Sequence, residues 1–134
     1  MKKLIFIDDS PLDHFILKRI LNKYQLAYDV SCTADGAGVI DYLKQHQFNR
    51  DNLPDIILLD IYMPAFDGWD FLNKAEKLYT QLARPLKIYI LSSSINPRDQ
   101  QLAKQYTCVC SFIFKPITKE VLEKLINEEA AGIS

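Results

Sequence analysis

The most constraining feature of this sequence is a run of short apolar segments that alternate with longer segments of helical spacing. Each apolar segment is too short and too rich in strand-forming residues for a helix, so we predict five strands and five helices in strict alternation. The predicted strands are Leu4 to Ile7, Tyr28 to Cys32, Ile56 to Leu59, Ile88 to Leu91 and Phe112 to Phe114. The predicted helices extend over about Pro11 to Tyr24, Ala37 to Gln45, Trp69 to Tyr79, Pro97 to Tyr106 and Thr118 to Glu129.

This alternation predicts an α/β fold with parallel strands, because a parallel connection needs a long return path that a helix provides. Right-handed crossovers then place helices on both faces of the sheet. Local signals mark where helices begin: Ser10 and Asn96 each precede a proline and, three positions on, an aspartate. A capping residue, a first-turn proline and a first-turn acid are typical of a helix N-terminus, and Thr118 is a third candidate cap.

Length and charge narrow the classes of function. The 134 residues suit one domain, and we found no linker or repeat, so we expect a single domain over 1–134 with no output domain. With 16 basic and 17 acidic side chains the net charge is -1, which gives no electrostatic basis for direct nucleic-acid or membrane binding. No stretch resembles a signal peptide or approaches the roughly 20 apolar residues of a membrane span, so we expect a cytoplasmic protein.

The sequence supports neither a zinc site nor a nucleotide-binding site. The three cysteines, Cys32, Cys108 and Cys110, lack the spacing of a zinc site, and we expect them to be reduced and partly buried. The sequence contains neither a phosphate-binding loop with a lysine nor a glycine-rich dinucleotide turn, so nucleotide binding has no support.

Polar side chains follow the predicted strands directly. Asp8 and Asp9 come after the first strand, Asp60 after the third, Ser92 after the fourth and Lys115 after the fifth. In an open α/β sheet, ligands bind at the carboxyl ends of the strands. If the first and third strands are neighbours, three carboxylates come together, and at about 4 Å each pair would repel by roughly 4 kcal/mol at an effective dielectric constant of 20. The arrangement therefore predicts a positive group among the acids.

A divalent cation such as Mg²⁺ suits this set of oxygen ligands, and it commonly uses only one or two carboxylates. One carboxylate then stays available to attack phosphorus and form an acyl phosphate, provided that the phosphoryl charge is neutralised. The cation, the Lys115 ammonium and the Ser92 hydroxyl are candidates for that neutralisation.

These residues resemble the receiver domain of two-component response regulators over nearly the whole chain. The motifs that carry the resemblance occur in the family's order: Asp8-Asp9, Asp60 with Met63-Pro64 and Asp67-Gly68, Ile90-Leu91-Ser92-Ser93, and Lys115-Pro116. The run of three serines followed by Asn96-Pro97 is similar to stand-alone receivers, of which some are chemotaxis regulators and others are coupled to phytochrome-type kinases. Ser94 within this run is predicted to be a polar loop residue that caps the next helix.

The resemblance implies a flavodoxin-like strand order, 2-1-3-4-5, and a cis bond before Pro116. It also implies roles at the site. Asp60 would accept the phosphoryl group, Lys115 and Ser92 would contact its oxygens, and Phe112 would occupy the aromatic switch position. The implied magnesium ligands are Asp8 through water, Asp9, Asp60 and the backbone carbonyl of Tyr62.

The resemblance further implies a switch whose partners are a sensor histidine kinase or histidine phosphotransfer protein and a downstream target protein. Its only chemistry would be phosphoryl uptake and slow loss, so we do not expect a turnover enzyme. A homodimer through the face of the fourth helix, fifth strand and fifth helix is an open alternative. Two departures from the family are visible: Phe112 lacks the hydroxyl of the tyrosine often found there, and the bulky Tyr62 occupies a position that the resemblance implies would face the phosphoryl group.

Two other functions stay open from sequence. A phosphohydrolase of the haloacid-dehalogenase type also uses a strand-end aspartate and Mg²⁺, but it needs a second acid where this chain has Tyr62. An inert receiver-like dimerisation scaffold would be favoured by loss of Asp9, Asp60 or Lys115, and all three residues are present.

Overall fold

The computed structural model describes residues 2–63, 67–93 and 96–130. Within these ranges the chain forms one parallel sheet flanked by helices, in strict alternation. The strands are β1 (Lys2–Ile7), β2 (Tyr28–Thr33), β3 (Ile56–Asp60), β4 (Ile88–Ser92) and β5 (Val109–Phe114). The helices are α1 (Pro11–Lys23), α2 (Gly36–Gln45), α3 (Gly68–Leu78), α4 (Pro97–Ala103) and α5 (Lys119–Ala130).

The strand order is β2-β1-β3-β4-β5, which confirms the predicted flavodoxin-like topology. All four neighbouring pairs are parallel, and the register places Ile7 opposite Leu59 and Asp60 opposite Leu91. The first and third strands are therefore neighbours. Their carboxyl ends, and that of β4, lie at one edge of the sheet.

The hydrophobic core forms two layers, one on each face of the sheet. Ile57 and Leu59 of β3 pack into the layer that includes α2 and α3. Ile56 and Leu58 pack into the opposite layer, with α1 and α5. All residues of β3 and β4 are buried, as expected for central strands covered on both faces. This rigid centre carries the ends of β3 and β4, where Asp60 and Ser92 lie.

Three of the predicted helix caps are present. The side chains of Ser10, Asn96 and Thr118 accept hydrogen bonds from backbone N–H groups of the first turns of α1, α4 and α5. The predicted end of the fourth helix is wrong. α4 ends at Ala103 rather than Tyr106, because the N–H groups of Gln105 and Tyr106 donate to the carbonyls three positions back instead of four.

The predicted start of the fifth strand is also wrong, since β5 begins at Val109 and not at Phe112. Val109 pairs with Ile88, and the Glu76 carboxylate of α3 accepts hydrogen bonds from the N–H groups of Thr107 and Cys108. These tertiary contacts extend the strand in a way that the local apolar pattern does not show. The predicted cis bond between Lys115 and Pro116 is present.

The remaining expectations concern the three cysteines, membrane-spanning helices and two residues of the predicted motifs. The three cysteines are unpaired, with Cys108 buried and the other two half-buried. Among the described helices, none has both the length and the apolar composition that a bilayer span requires. Pro64 of the predicted motif and Ser94, predicted to cap the fourth helix, lie outside the described residues.

Candidate phosphoryl and metal site

Three carboxylates meet at the carboxyl edge of the sheet. Asp8 follows β1, Asp60 ends β3, and the two strands are neighbours. One oxygen from each of Asp8, Asp9 and Asp60 lies within 4.8 Å of the others. Asp8 and Asp60 are buried, whereas Asp9 is exposed. The predicted gathering of these acids is therefore present, with one solvent-facing side through which a ligand can enter.

The Lys115 ammonium provides the positive charge that the cluster requires. Its Nζ lies 2.9 Å from Asp8 Oδ2 and 3.3 Å from Asp60 Oδ2. The backbone N–H of Lys115 donates to the carbonyl of Ser92, which fixes the start of the lysine's loop to the end of β4. Charge-assisted hydrogen bonds of this kind are stronger than neutral ones.

Asp13 is a site residue that the sequence analysis missed. Its Oδ2 lies 2.7 Å from Lys115 Nζ, the shortest of the three carboxylate contacts of this lysine. The sequence presented Asp13 only as a first-turn acid of α1. Asp13 follows Asp9 by four residues and lies on a helix that starts at the carboxyl edge of the sheet. This position is the signal that could have identified it.

The pKa values of the charged groups reflect burial and this shared lysine. Burial raises the pKa of Asp8 to about 6, although hydrogen bonding to Lys115 and to the Ser10 N–H acts in the opposite direction. Burial also acts to raise the pKa of Asp13, but the hydrogen bond and charge of Lys115 outweigh it and lower the pKa. For Lys115, burial is outweighed by Asp13, Asp8 and Asp60, which raise the pKa of the ammonium above its usual range. Lys115 is thus fully charged at neutral pH.

The segment after Asp60 is held by two hydrogen bonds that backbone N–H groups donate. The Tyr62 N–H donates to Asp60 Oδ1 at 3.1 Å, and the Gly68 N–H donates to the Ile61 carbonyl at 3.1 Å. A Cβ on Gly68 would overlap the Ile61 Cα, so only glycine allows α3 to begin this close to the end of β3. The Tyr62 hydroxyl donates to Asp99 Oδ2 of α4 at 2.6 Å, a contact that the sequence did not reveal.

Ser92 and Phe112 occupy the places that the sequence predicted for them along the strands. Ser92 ends β4 and is buried, one register position beyond the Asp60–Leu91 pair. Phe112 lies in β5, is half-buried against the α2–α3–α4 core layer, and makes an edge contact with Phe114 at 5.5 Å between ring centroids. Their roles in phosphoryl binding and switching stay predictions.

The donor set fits a hard divalent cation. Three carboxylates offer only oxygen ligands, which Mg²⁺ and similar ions prefer, and the set includes no nitrogen or sulfur that a softer metal would favour. The exposed carboxylate leaves room for water at a bound ion. The site is therefore an acidic oxygen-donor pocket with one half-buried lysine.

A flavodoxin-like sheet with this pocket at the carboxyl ends of β1 and β3 defines a class of α/β signalling domain. The model of the family described as "Response regulator receiver domain" matches residues 4–127, which is most of the chain. The chain belongs to this family. It is therefore a receiver domain of two-component signal transduction, consistent with a phosphorylation-dependent switch.

Individual relatives agree with the family assignment. The chain is 24% identical over 126 residues to the probable methanogenesis regulatory protein FilR2 of Methanothrix harundinacea, covering 93% of this chain and 79% of that one. It is 26% identical to protein PilH of Pseudomonas aeruginosa, covering 98% and 100%. A crystal structure of a two-component response regulator from Cytophaga hutchinsonii matches with a TM-score of 0.84 at 25% identity, covering 98% of both chains.

Several other curated relatives are much longer than this chain. It spans between 5% and 25% of the length of those that combine the matching region with kinase, methylesterase or phosphodiesterase names. Receiver domains therefore occur within enzymes as well as in short chains. The activities of those longer proteins do not transfer to the residues described above.

Proposed function

We propose that Asp60 accepts a phosphoryl group and that this chain is the phosphorylation-controlled switch of a two-component system or phosphorelay. The observation that carries the proposal is the contact of Lys115 Nζ with both Asp60 Oδ2, at 3.3 Å, and Asp8 Oδ2, at 2.9 Å, beside a cluster of three carboxylates. A half-buried lysine in contact with an acid can bind a phosphoryl oxygen once that acid has reacted.

Asp8, Asp9 and Asp60 would hold Mg²⁺, with the backbone carbonyl of Tyr62 as a further ligand and Asp8 acting through water. The cation, when bound, supplies positive charge that offsets the charge on the phosphoryl oxygens. The strongest support is the donor set, since three close carboxylates with one lysine between them leave net negative charge at the site.

The proposed reaction is a displacement at phosphorus. An oxygen of the Asp60 carboxylate forms a bond to phosphorus, and the bond from phosphorus to the donor breaks. The donor leaves with the electron pair, which on a kinase or phosphotransfer protein regenerates a neutral histidine. Asp60 suits this role because it ends a buried strand, so its oxygens are held in a fixed position at the solvent-facing edge of the sheet.

Lys115 and Ser92 are the groups proposed to bind the new phosphoryl oxygens. Lys115 is already charged and in contact with Asp60. To bind the phosphoryl group, its ammonium needs only to replace a carboxylate oxygen by a phosphoryl oxygen as its hydrogen-bond partner. Ser92 ends the strand beside β3, one register position beyond the residue that pairs with Asp60. Movement of Ser92 toward the phosphoryl group, and of Phe112 with it, would then alter the face made by α4, β5 and α5. A ligand can shift such an equilibrium only through contacts that differ between the two states.

The proposed partners follow from the family. A sensor histidine kinase or histidine phosphotransfer protein would donate the phosphoryl group, and a downstream target would bind the altered face. We propose a cytoplasmic switch of one domain over 1–134 that does not itself turn over a substrate, with a homodimer through the α4–β5–α5 face as an alternative output.

Labelling by acetyl phosphate tests the proposal. The protein incubated with acetyl phosphate and Mg²⁺ gains the mass of one phosphoryl group, Asp60→Asn abolishes the gain, and Asp70→Asn, an exposed acid of α3, does not. No adduct on the unaltered chain, while a known receiver is labelled in parallel, would favour an inert scaffold. Sustained release of phosphate from simple phosphate esters would favour a phosphohydrolase.

A further inference from the structure

The hydroxyl of Tyr62 donates a hydrogen bond of 2.6 Å to Asp99 Oδ2, between the segment that follows Asp60 and the first turn of α4. Tyr62 is 53% exposed, whereas Asp99 is only 7% exposed. An acid in the first turn of a helix is usually solvated, where it stabilises the positive helix end. The burial of Asp99 and its short bond to a phenol indicate a more specific role.

Tyr62 is tied to the site through its backbone and to α4 through its side chain. Its N–H donates to Asp60 Oδ1, so the residue starts beside the phosphoryl acceptor. Its hydroxyl reaches the helix that follows β4, the strand next to β3 in the sheet. The aromatic ring therefore extends along the carboxyl edge of the sheet, from the end of β3 toward α4.

We propose that Asp99 is a positioning residue that holds the Tyr62 ring across the mouth of the phosphoryl site. The inference rests on the proposed phosphorylation of Asp60. In that position the ring limits the approach of water to phosphorus. Loss of the phosphoryl group requires that water attack phosphorus while the bond from phosphorus to the Asp60 oxygen breaks, which yields the Asp60 carboxylate and inorganic phosphate. A ring that is free to swing out exposes phosphorus to this attack.

The lifetime of the phosphorylated protein tests the proposal. The unaltered chain, Tyr62→Phe, Asp99→Ala and the double variant are labelled with acetyl phosphate and Mg²⁺ and then freed of the donor. The remaining phosphorylated fraction is followed by intact mass. Tyr62→Phe keeps the ring and removes only the hydroxyl of a half-exposed residue, so it tests the bond even if Asp99→Ala does not fold. Asp70→Ala is the matched control, because it removes an exposed first-turn acid from α3.

Each single variant is expected to shorten the lifetime by about three- to tenfold, the range that corresponds to the net strength of one hydrogen bond. The double variant should match the single variants, because both remove the same bond. Asp99→Asn, which keeps an acceptor oxygen without the charge, should give an intermediate lifetime. Asp70→Ala should leave the lifetime unchanged.

Unchanged or longer lifetimes in Tyr62→Phe would overturn the proposal. A double variant whose effect on the lifetime is the product of the two single effects would also overturn it. Asp99 and Tyr62 would then influence the lifetime independently of each other. If the unaltered chain takes up no phosphoryl group, the proposed function fails, and this inference fails with it. Normal labelling with lifetimes that do not respond to Tyr62→Phe contradicts this inference only.

Discussion

The ammonium nitrogen of Lys115 lies 2.7 Å from Asp13 Oδ2, closer than the 3.3 Å that separates it from Asp60 Oδ2. The lysine proposed to bind the phosphoryl group is therefore shared with an acid on α1 before any phosphoryl group arrives. Asp13 places an additional negative charge beside the site, and it competes with Asp60 for the same cation.

Asp13→Asn should accelerate labelling of Asp60 by acetyl phosphate severalfold. The substitution removes a negative charge that repels the anionic donor and leaves Lys115 with two carboxylate partners instead of three. Initial rates of mass gain at saturating Mg²⁺ measure the effect. Asp41→Asn makes the same change of charge at an exposed position of α2 and should leave the rate as it was. A slower Asp13→Asn variant would mean that Asp13 helps to place Lys115 rather than competing for it.

Lys115→Ala should lower the free energy of unfolding of the metal-free protein by about 2 to 4 kcal/mol, because Asp8, Asp13 and Asp60 would lose their shared cation in a largely buried site. Added Mg²⁺ should restore part of the loss. Urea unfolding with and without Mg²⁺ measures both effects. Lys119→Ala, which breaks an exposed pair with Glu123, should change the free energy by less than about 0.5 kcal/mol. Equal losses in the two variants would contradict the electrostatic account.

The affinity for Mg²⁺ should fall as pH decreases through about 6, because burial raises the pKa of Asp8 to that value. Below this pH the folded metal-free protein carries a protonated Asp8, and a metal must displace the proton. Calorimetric titrations one pH unit above and one below the pKa measure the change. Asp8→Asn removes the titrating group and should flatten the dependence. An equally steep dependence in that variant would assign the proton to another residue.

Glu76→Ala should lower the free energy of unfolding by about 1 to 3 kcal/mol, because the Glu76 carboxylate accepts from the Thr107 and Cys108 N–H groups at the start of β5. Burial acts to raise the pKa of Glu76, but these two N–H donors outweigh it and lower the pKa, so the acid is ionised at neutral pH. The neighbouring Lys77→Ala is the control in the same urea titration, since Lys77 is exposed. Similar midpoints for the two variants would show that these hydrogen bonds contribute no net stability.

The sequence predicted the strand order through a family resemblance, and the positions of Asp8, Asp9, Asp60 and Lys115 through a physical rule about strand ends. That rule works because parallel strands present all their carboxyl ends at one edge. The tertiary contacts of Asp13 and Asp99 were not predicted, because an acid in the first turn of a helix is already explained by its stabilisation of the helix. Which of these acids also bonds to a lysine or tyrosine distant in sequence is decided by tertiary packing.

The ends of α4 and β5 were predicted wrongly because tertiary contacts set them, and Gly38 shows a similar limit inside α2. A glycine inside a helix normally costs about 1 kcal/mol relative to alanine. In the structure Gly38 lies in the first turn of α2, where its N–H donates to the Asp35 carboxylate and a Cβ would overlap that same carboxylate. The absence of a Cβ at Gly38 lets the Asp35 side chain cap α2. This cap depends on a conformation of the Asp35 side chain that the sequence does not specify.

The most direct test of the account locates the phosphoryl group on the chain. Borohydride reduces an acyl phosphate, but not a free carboxylate, to an alcohol, so a phosphorylated aspartate becomes homoserine. After labelling with acetyl phosphate and Mg²⁺, reduction and peptide mass spectrometry, we predict homoserine at position 60 and unaltered aspartate at positions 8, 9 and 13. Homoserine at one of those three positions, or an unreduced Asp60 in a chain that has gained a phosphoryl group, would contradict the assignment of Asp60 as the acceptor.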